Sequence, residues 1–561
     1  MSTLLPARRL IPRWRRVAAT LALPEGQADT GAPSISAIRC DQDELIRAID
    51  EWKAEPTAGH LGHVLAFSIA GDCLEAVRTV AADAIRRGNV ATPPQKQLIA
   101  SMLHDDEEDD RRACDYDYSI CNPHVRERVR EVRALLRINP SNPLVLLDFA
   151  QFQVSSGKFK HAERSLLSAL HLSPNNRLIV RTLARYYVHL GKPEQGHLLL
   201  ARHARTPKDP WLMAGEIAIA QVAGVGSIFA KRAFKAVREK RKNYSQITEL
   251  AGAVAGLEMA SGNWRIAREL FGVALLNPND NVVAQAITDR NLLALNLAGP
   301  EQEKVVLAAA EARTLISWLS LESDEAESHA MKWHAEEPFS SRPLQFLTAL
   351  CAVKGQYESA AALARRGLIS DPSDAVLTAN LSYALACLGR LEEAEKMAAV
   401  AQSLDHARVS PQTTATLGLV AMKRGFFDLS DQLYAKALSQ FELAKRKDMI
   451  AICYAYYARA AVELDHPEAH DIVAKAAATY KEAPTVDSAL ILRRLKLELE
   501  APTNEEPTRR LSQWFYEAQS NSMIRRTGLT KPGAPPVVFT SGQIVKPASG
   551  RKGTHKDGRN R

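Results

Sequence analysis

Four residues, His104, Cys114, Cys121 and His124, are of the types that hold zinc, but the seven-residue step from Cys114 to Cys121 is not a common zinc spacing. Beside them run Asp105, Asp106, Glu107, Glu108, Asp109 and Asp110, with Asp115 and Asp117 following. Six consecutive acids lack the glycine and spaced ligands of a calcium loop. They cannot pack in a core, so they read as a solvated loop or as a docking point for a basic segment, the chain's own basic tail included. No glycine loop ending in Lys-Ser or Lys-Thr, no HExxH and no paired CxxC occurs. No catalytic residue, cofactor site or metal site is therefore expected.

Two clusters of cations have spacing that suits binding instead. Gly224-Val225-Gly226 precedes Lys231, Arg232, Lys235, Arg238, Lys240, Arg241 and Lys242, with Glu239 the one acid among them. A glycine-apolar-glycine turn offers backbone N–H groups to a phosphate, as in the hairpin of a helix-hairpin-helix motif, and the cations would contact the same backbone. A dinucleotide glycine loop looks similar but needs a preceding strand, which this sequence does not show. The second cluster is Arg181, Arg185 and His189, four residues apart, which a helix lines up on one face.

The elements that position these residues are legible in one recurring spacing. Ala150, Gly157, Ala162, Ala169 and Pro174 are followed by Ala184, Gly191, Gly196 and Pro207, then by Ala255, Gly262, Ala267, Ala274 and Pro278. The pattern returns at Thr348, Gly355, Ala360, Gly367 and Pro372, at Ser382, Gly389, Ala394 and Ala401, and at Gly418, Gly425, Ser430 and Ala437. Small residues let two helices cross closely. The glycine between them takes the left-handed conformation that ends the first helix. The proline stops the second. Large residues such as Phe149, Leu166, Leu381 and Tyr434 fill the space between such hairpins, and because no hairpin buries its apolar face alone, the units must stack. In this frame Trp211 and Gly215 open a degenerate unit whose turn happens to be glycine-rich, so repeat context outweighs a nucleic-acid hairpin at residues 224–226. Ala326, Trp333 and Pro338 read as the second half of another unit, and Tyr457, Ala469 and Ala476 as part of a third.

With NPLVLLDFAQFQVSSGKFKHAERSLLSALHLSPNN and AVLTANLSYALACLGRLEEAEKMAAVAQSLD as its clearest units, the chain resembles the tetratricopeptide repeat family over roughly residues 124–483. The resemblance implies an all-α, right-handed solenoid of stacked hairpins whose first helices line a concave groove that receives extended peptides. It also implies that Arg181, Arg185 and His189 would face that groove and hold an acidic partner segment; a solvated cationic face is the alternative. The Lys and Asn set of the chaperone-binding carboxylate clamp is absent, so a co-chaperone is not expected.

Of 561 residues, 46% are hydrophobic, 24% charged and 6% aromatic, a globular composition that suits closely packed helices. No apolar run reaches the roughly 18 residues that span a bilayer. The seven cysteines, an odd number scattered along the chain, point to a reducing compartment and a cytoplasmic location. The net charge of +8 is unevenly placed: residues 1–24 carry +5 and residues 525–561 carry +8, which leaves the body at −5. The expected organisation is a basic disordered arm over 1–34 and a repeat-like helical region over 35–104. An acidic loop over 105–123 and the array over 124–500, with an extra helix inserted within 282–306, follow. An amphipathic helix over 505–523 caps the last repeat, and a disordered basic tail spans 524–561.

The expected function is a non-enzymatic scaffold or adaptor that binds a protein partner, an extended or acidic segment, in the groove. The alternative is a nucleic-acid-associated protein that uses Lys231, Arg232, Lys235, Arg238 and Lys242 with the basic termini.

Overall fold

A computed structural model describes residues 11–15, 42–71, 77–103, 123–239, 244–288, 309–404 and 410–495, together with 539–540 and 543–544. The acidic loop, the capping helix at 505–523 and the residues inserted after 288 lie outside these, as do His104, Cys114, Cys121, Lys242 and the side chain of His124. In the tail, a two-residue antiparallel pair sets Phe539 against Ile544 and Thr540 against Gln543.

Everything else with regular structure is helical. Four helices, α1 (Gln42–Ala54), α2 (Ala58–Gly71), α3 (Arg78–Arg86) and α4 (Pro93–Leu103), precede α5 (Pro123–Ile138). The array proper then alternates first and second helices. These are α6 (Pro143–Ser155) with α7 (Phe159–Leu172), α8 (Arg177–His189) with α9 (Pro193–Arg202), α10 (Pro210–Ala223) with α11 (Ala230–Arg238), and α12 (Tyr244–Ala260) with α13 (Trp264–Ala274). After α14 (Asp280–Thr288) come α15 (Ala310–Leu319) with α16 (Ser323–Glu336), α17 (Ser341–Val353) with α18 (Tyr357–Ser370), and α19 (Ala375–Cys387) with α20 (Leu391–Leu404). The series ends with α21 (Pro411–Lys423) and α22 (Phe427–Leu443), α23 (Lys447–Glu463) and α24 (Ala469–Glu482), and α25 (Val486–Arg494).

Local chemistry sets these boundaries. Asn142, Asn176, Asp209 and Asp374 cap first helices by accepting backbone N–H groups of the first turn, and Pro143 and Pro210 follow where a missing N–H costs nothing. Most first helices end at the glycine of the repeat. Gly157 has φ +73°, its N–H reaches Val154 O at 2.9 Å, and the next N–H, of Lys158, reaches Gln153 O at 2.8 Å. Gly191, Gly262, Gly355, Gly389 and Gly425 repeat this turn.

Leu321 and Asp465 hold the same left-handed conformation (φ 66° and 50°) where a unit lacks the glycine, and Glu322 and His466 donate the equivalent hydrogen bonds. The incomplete units read around Trp333 and Tyr457 are therefore full hairpins. Lys445 takes this conformation (φ 54°) at the end of α22.

Crossings are close where the sequence has small residues. A Cβ on Gly196 would lie 2.8 Å from the carbonyl oxygen of Ala184, and at another crossing Ser382 Oγ donates to Ala394 O at 2.7 Å. The first helices of successive hairpins pack on one another as well as on their own second helices, so they form the inner wall of an all-α solenoid. The wall curls tightly. His189 at the end of α8 meets Ser370 at the end of α18, and α25 returns to α17. No described helix is long and apolar enough to cross a membrane.

These turns and crossings give opposite expectations for two substitutions. Gly196→Ala drives a Cβ into backbone and lowers the unfolding free energy by about 1–3 kcal/mol. Lys445→Gly relieves a left-handed lysine at an exposed turn and raises it by about 1 kcal/mol. Urea denaturation followed by circular dichroism reads both, and a stabilised Gly196→Ala contradicts the close crossing.

Candidate peptide channel on the inner wall

The three residues read as a groove stripe do face inward, but the chain itself engages them. Arg181 donates to the carbonyl of Trp211 (3.1 Å), pairs with Glu249 (2.5 Å) and lies 5.1 Å above the Trp211 ring. Arg185 is half-buried, its guanidinium 5.1 Å from the Phe339 ring centre, and desolvation lowers its pKa to about 10. His189 Nε2–H donates to Ser370 O at 2.7 Å. Burial, with Arg185 nearby, holds the imidazole neutral down to a pKa of about 4. None of the three is a solvated cationic face, and the acidic segment expected on this stripe is replaced by Glu249, an aromatic ring and a carbonyl of the same chain.

What occupies the inner wall is the stretch Ile11-Pro12-Arg13-Trp14-Arg15. The expectation of a disordered arm over residues 1–34 fails for these five. Arg13 is bound by Glu337 (2.7 Å), Asp280 (3.1 Å) and Glu311, and Arg15 by Asp280 with Glu336 at 3.4 Å. Trp14 points the other way. It is 1% exposed, with its ring 4.6 Å from Phe339 and edge-on to Tyr186 at 6.2 Å. Arginines at i and i+2 on one side and an aromatic residue between them on the other follow the alternation of an extended chain.

The wall also grips the segment's backbone. Gln151 Nε2 donates to Trp14 O at 2.7 Å, and Asn281 Nδ2 donates to Ile11 O at 3.1 Å. Pro12 approaches α10 where Gly215 leaves room, since a Cβ there would lie 3.1 Å from the proline ring. The partners come from α6, α8, α10, α14, α15, α16 and the turn into α17, so five residues touch most of the inner wall.

Electrostatics agree with the geometry. Burial works against the Arg13 charge, but Asp280, Glu311 and Glu337 outweigh it and raise its pKa well above the ordinary value. Burial pushes the Glu337 carboxyl up, and Arg13 and Arg15 more than offset this, so it titrates below the ordinary carboxylate range. Glu336, less well compensated, is raised by its burial. Beside the segment a cavity of about 240 Å³ remains, bordered by Pro12, Arg13, Arg185, Val188, Val222 and Trp333.

In the second half of the array an arginine of the wall itself occupies the interior. Arg459 of α23 donates to the carbonyl of Ala352 (3.1 Å) and to Tyr383, and its guanidinium lies 4.9 Å above Tyr456 and 5.7 Å above Tyr357. These side chains fill the space that the curl of α17–α25 encloses.

The other sequence candidates fall outside this channel. Lys231, Arg232, Lys235 and Arg238 are exposed on α11; Lys235 pairs with Glu239 (3.7 Å) and Arg238 stacks on Phe234 (5.0 Å). In the turn before α11, Ile228 N–H and the Ser227 hydroxyl donate to the Glu216 carboxylate at 2.9 and 2.5 Å. Gly224 (φ 68°) ends α10 as hairpin glycines do, so the turn is that of a repeat and a carboxylate sits where a phosphate would bind.

In their left-handed turns and small-residue crossings the hairpins resemble tetratricopeptide units. No protein-family model matches the chain, and no curated protein matches it. Among solved structures, the yeast Tom70 crystal structure is 13% identical, covering 86% of this chain and 93% of that one at a TM-score of 0.28. The APC/C hetero-tetramer Cut9-Hcn1 is 11% identical over 66% of this chain and 96% of that one (TM-score 0.21). Naa15/Naa10 bound to HypK-THB is 13% identical over 86% and 76% (TM-score 0.20). At these scores the hairpin assignment rests on the turns and crossings of this chain.

Sequence reasoning missed residues 11–15, Asp280, Glu311 and Glu337. One signal was present: a tryptophan beside Ile11 and Pro12 is out of place in an arm meant to stay in water. The carboxylates carried none, because acids near helix starts are ordinary in sequence.

Two measurements check the site. Trp14→Ala removes the aromatic anchor at a cost of about 3–5 kcal/mol, enough to free the segment. Tryptic cleavage after Arg13 and Arg15 should then accelerate at least about tenfold, and an unchanged rate contradicts a buried anchor. The second concerns pH. Below pH 6.5 the unfolded state takes up a proton on His189 that the folded state refuses until about pH 4, so stability falls as pH drops through this window. His334, lowered to about 3 by its burial and by Arg366, adds in the same sense, whereas the Glu337 contribution is lost only below the ordinary carboxylate range. His189→Gln should lose about 2 kcal/mol less than the parent chain between pH 7.5 and pH 5, read from urea midpoints.

Proposed function

We propose that this protein is a non-enzymatic scaffold that holds an extended segment of a partner protein against the inner wall of its solenoid. One observation carries the reading: α6–α16 already grip an extended five-residue stretch by both its side chains and its backbone carbonyls. A wall that supplies carboxylates, an aromatic slot and carbonyl-directed amides at fixed positions binds a peptide without ordering itself first.

The ionisable groups do not favour catalysis. Burial pushes the thiols of Cys351 and Cys453 up to about 11 and about 12, away from the thiolate a nucleophile needs. His189 is held neutral and spent on a carbonyl. The free thiols Cys351, Cys387 and Cys453 suit a reducing compartment such as the cytoplasm. In this reading the expected acidic partner gives way to a cationic one, because the wall turns the carboxylates Asp280, Glu311 and Glu337 toward the bound segment.

A peptide-display selection on the Trp14→Ala chain tests this without presupposing a sequence. Enriched peptides should protect the inner helices α8, α10, α14 and α15 from hydrogen exchange. Protection confined to the outer helices α7, α9 and α13, or no enrichment, defeats the reading.

A further inference from the structure

Resting on this scaffold reading, we propose that the channel is specific for an extended segment with an aromatic side chain between two arginines, and that residues 11–15 are its resident, exchangeable occupant. A partner segment of the same chemistry takes their place.

Charge sets the first requirement. Asp280, Glu311 and Glu337 have side chains 8% exposed or less and converge on Arg13, while among the described residues Arg342 offers Glu311 a second cation at 3.1 Å. An occupant without cations leaves carboxylates facing one another out of water, which is strongly unfavourable. Geometry sets the second. Arg13 reaches Glu337 through Nη1 and reaches Asp280 and Glu311 through Nη2, a fork that a lysine ammonium cannot reproduce. Asp280 binds Arg15 as well, so the arginines must stand two apart. The slot between Tyr186 and Phe339 then receives the residue between them, on the opposite side.

The fit of the resident argues for exchange. Its contacts are side-chain pairs and two hydrogen bonds to carbonyls, with no helix or strand pairing to the wall. Among the described residues, the buried Trp14 Nε1, Arg13 Nε and Gln151 Oε1 have no hydrogen-bond partner. Each such orphan costs about 1–3 kcal/mol. The 240 Å³ cavity next to Pro12 and Arg13 shows that the channel is larger than the segment in it. A ligand that bonds Gln151 Oε1, leaves no polar atom of its own unpaired and fills that space binds the wall better than residues 11–15 do.

The connection permits release. Residues 16–41 separate the segment from α1 and reach at most roughly 85 Å when extended, by about 3.3 Å per residue. By chain length alone the segment can leave while α1 stays in place. The same tether keeps its effective concentration near the millimolar range, so an external segment must compete with it.

The test keeps the full chain. A site-specific protease sequence placed within residues 25–30 allows cleavage after folding, so that the resident is held by its contacts alone. A labelled peptide of residues 8–18 should then bind the cleaved chain at least about tenfold more tightly than the uncleaved one. The double Arg13→Lys, Arg15→Lys peptide should bind at least about tenfold more weakly, and the Trp14→Ala peptide not measurably.

Three outcomes overturn the proposal. Equal binding before and after cleavage shows a different site. Equal binding of the lysine peptide removes the specificity. A resident fragment that never exchanges, or whose loss unfolds the chain by circular dichroism, makes it a permanent staple. If the display selection enriches groove peptides of other composition, the scaffold reading stands and this specificity falls.

Discussion

A guanidinium taken out of water needs a carboxylate, a carbonyl or an aromatic face close by, and this requirement organises the inner wall of the solenoid. Stacked hairpins place their first helices inside, where a charged side chain that faces inward loses much of its hydration. Arg181 is answered by Glu249 and Trp211, Arg185 by Phe339, and Arg459 by carbonyls and three tyrosines. Each pairing joins helices that lie one or more hairpins apart in sequence. Paired in this way, the buried charges fix how tightly the array curls, since an unpaired one would cost several kcal/mol.

The two halves satisfy the requirement differently, and the difference creates the site. In α17–α25 the wall is self-sufficient, because Arg459 and its tyrosines consume the interior. In α6–α16 the buried carboxylates Asp280, Glu311 and Glu337 converge, and of the wall's own cations Arg342 reaches Glu311 at 3.1 Å. The missing charge comes from residues 13 and 15, far outside the array in sequence. Trp14 adds apolar closure by joining Tyr186 of α8 to Phe339 ahead of α17, across more than 150 residues of chain. The proposed scaffold reading rests on this supply of cations to the wall from outside the array.

Glycine and its absence tell a parallel story at the hairpin turns. Most first helices end on a glycine at positive φ. Leu321 and Asp465 adopt the same conformation because the helices on either side, packed at small residues such as Ala326 and Ala476, leave no other path. Tertiary packing there overrides a local preference of about 1–2 kcal/mol. Units without the glycine are thereby full members of the array.

The sequence by itself determined the all-α hairpin architecture, the turn positions and the helix caps. These depend on contacts between residues close in the chain, and their spacing survives as a readable pattern. It also placed Arg181, Arg185 and His189 on one inward helix face. Only the tertiary structure decided what that face meets, because Glu249, Phe339 and Ser370 arrive from two or more hairpins further along the chain. The same holds for the sign of the groove. The arginines of the stripe, expected to hold an acidic segment, are engaged by Glu249, Trp211 and Phe339 of the same chain. What remained unspent was a cluster of carboxylates from helices α14 to α16, brought together by curvature that no local spacing encodes.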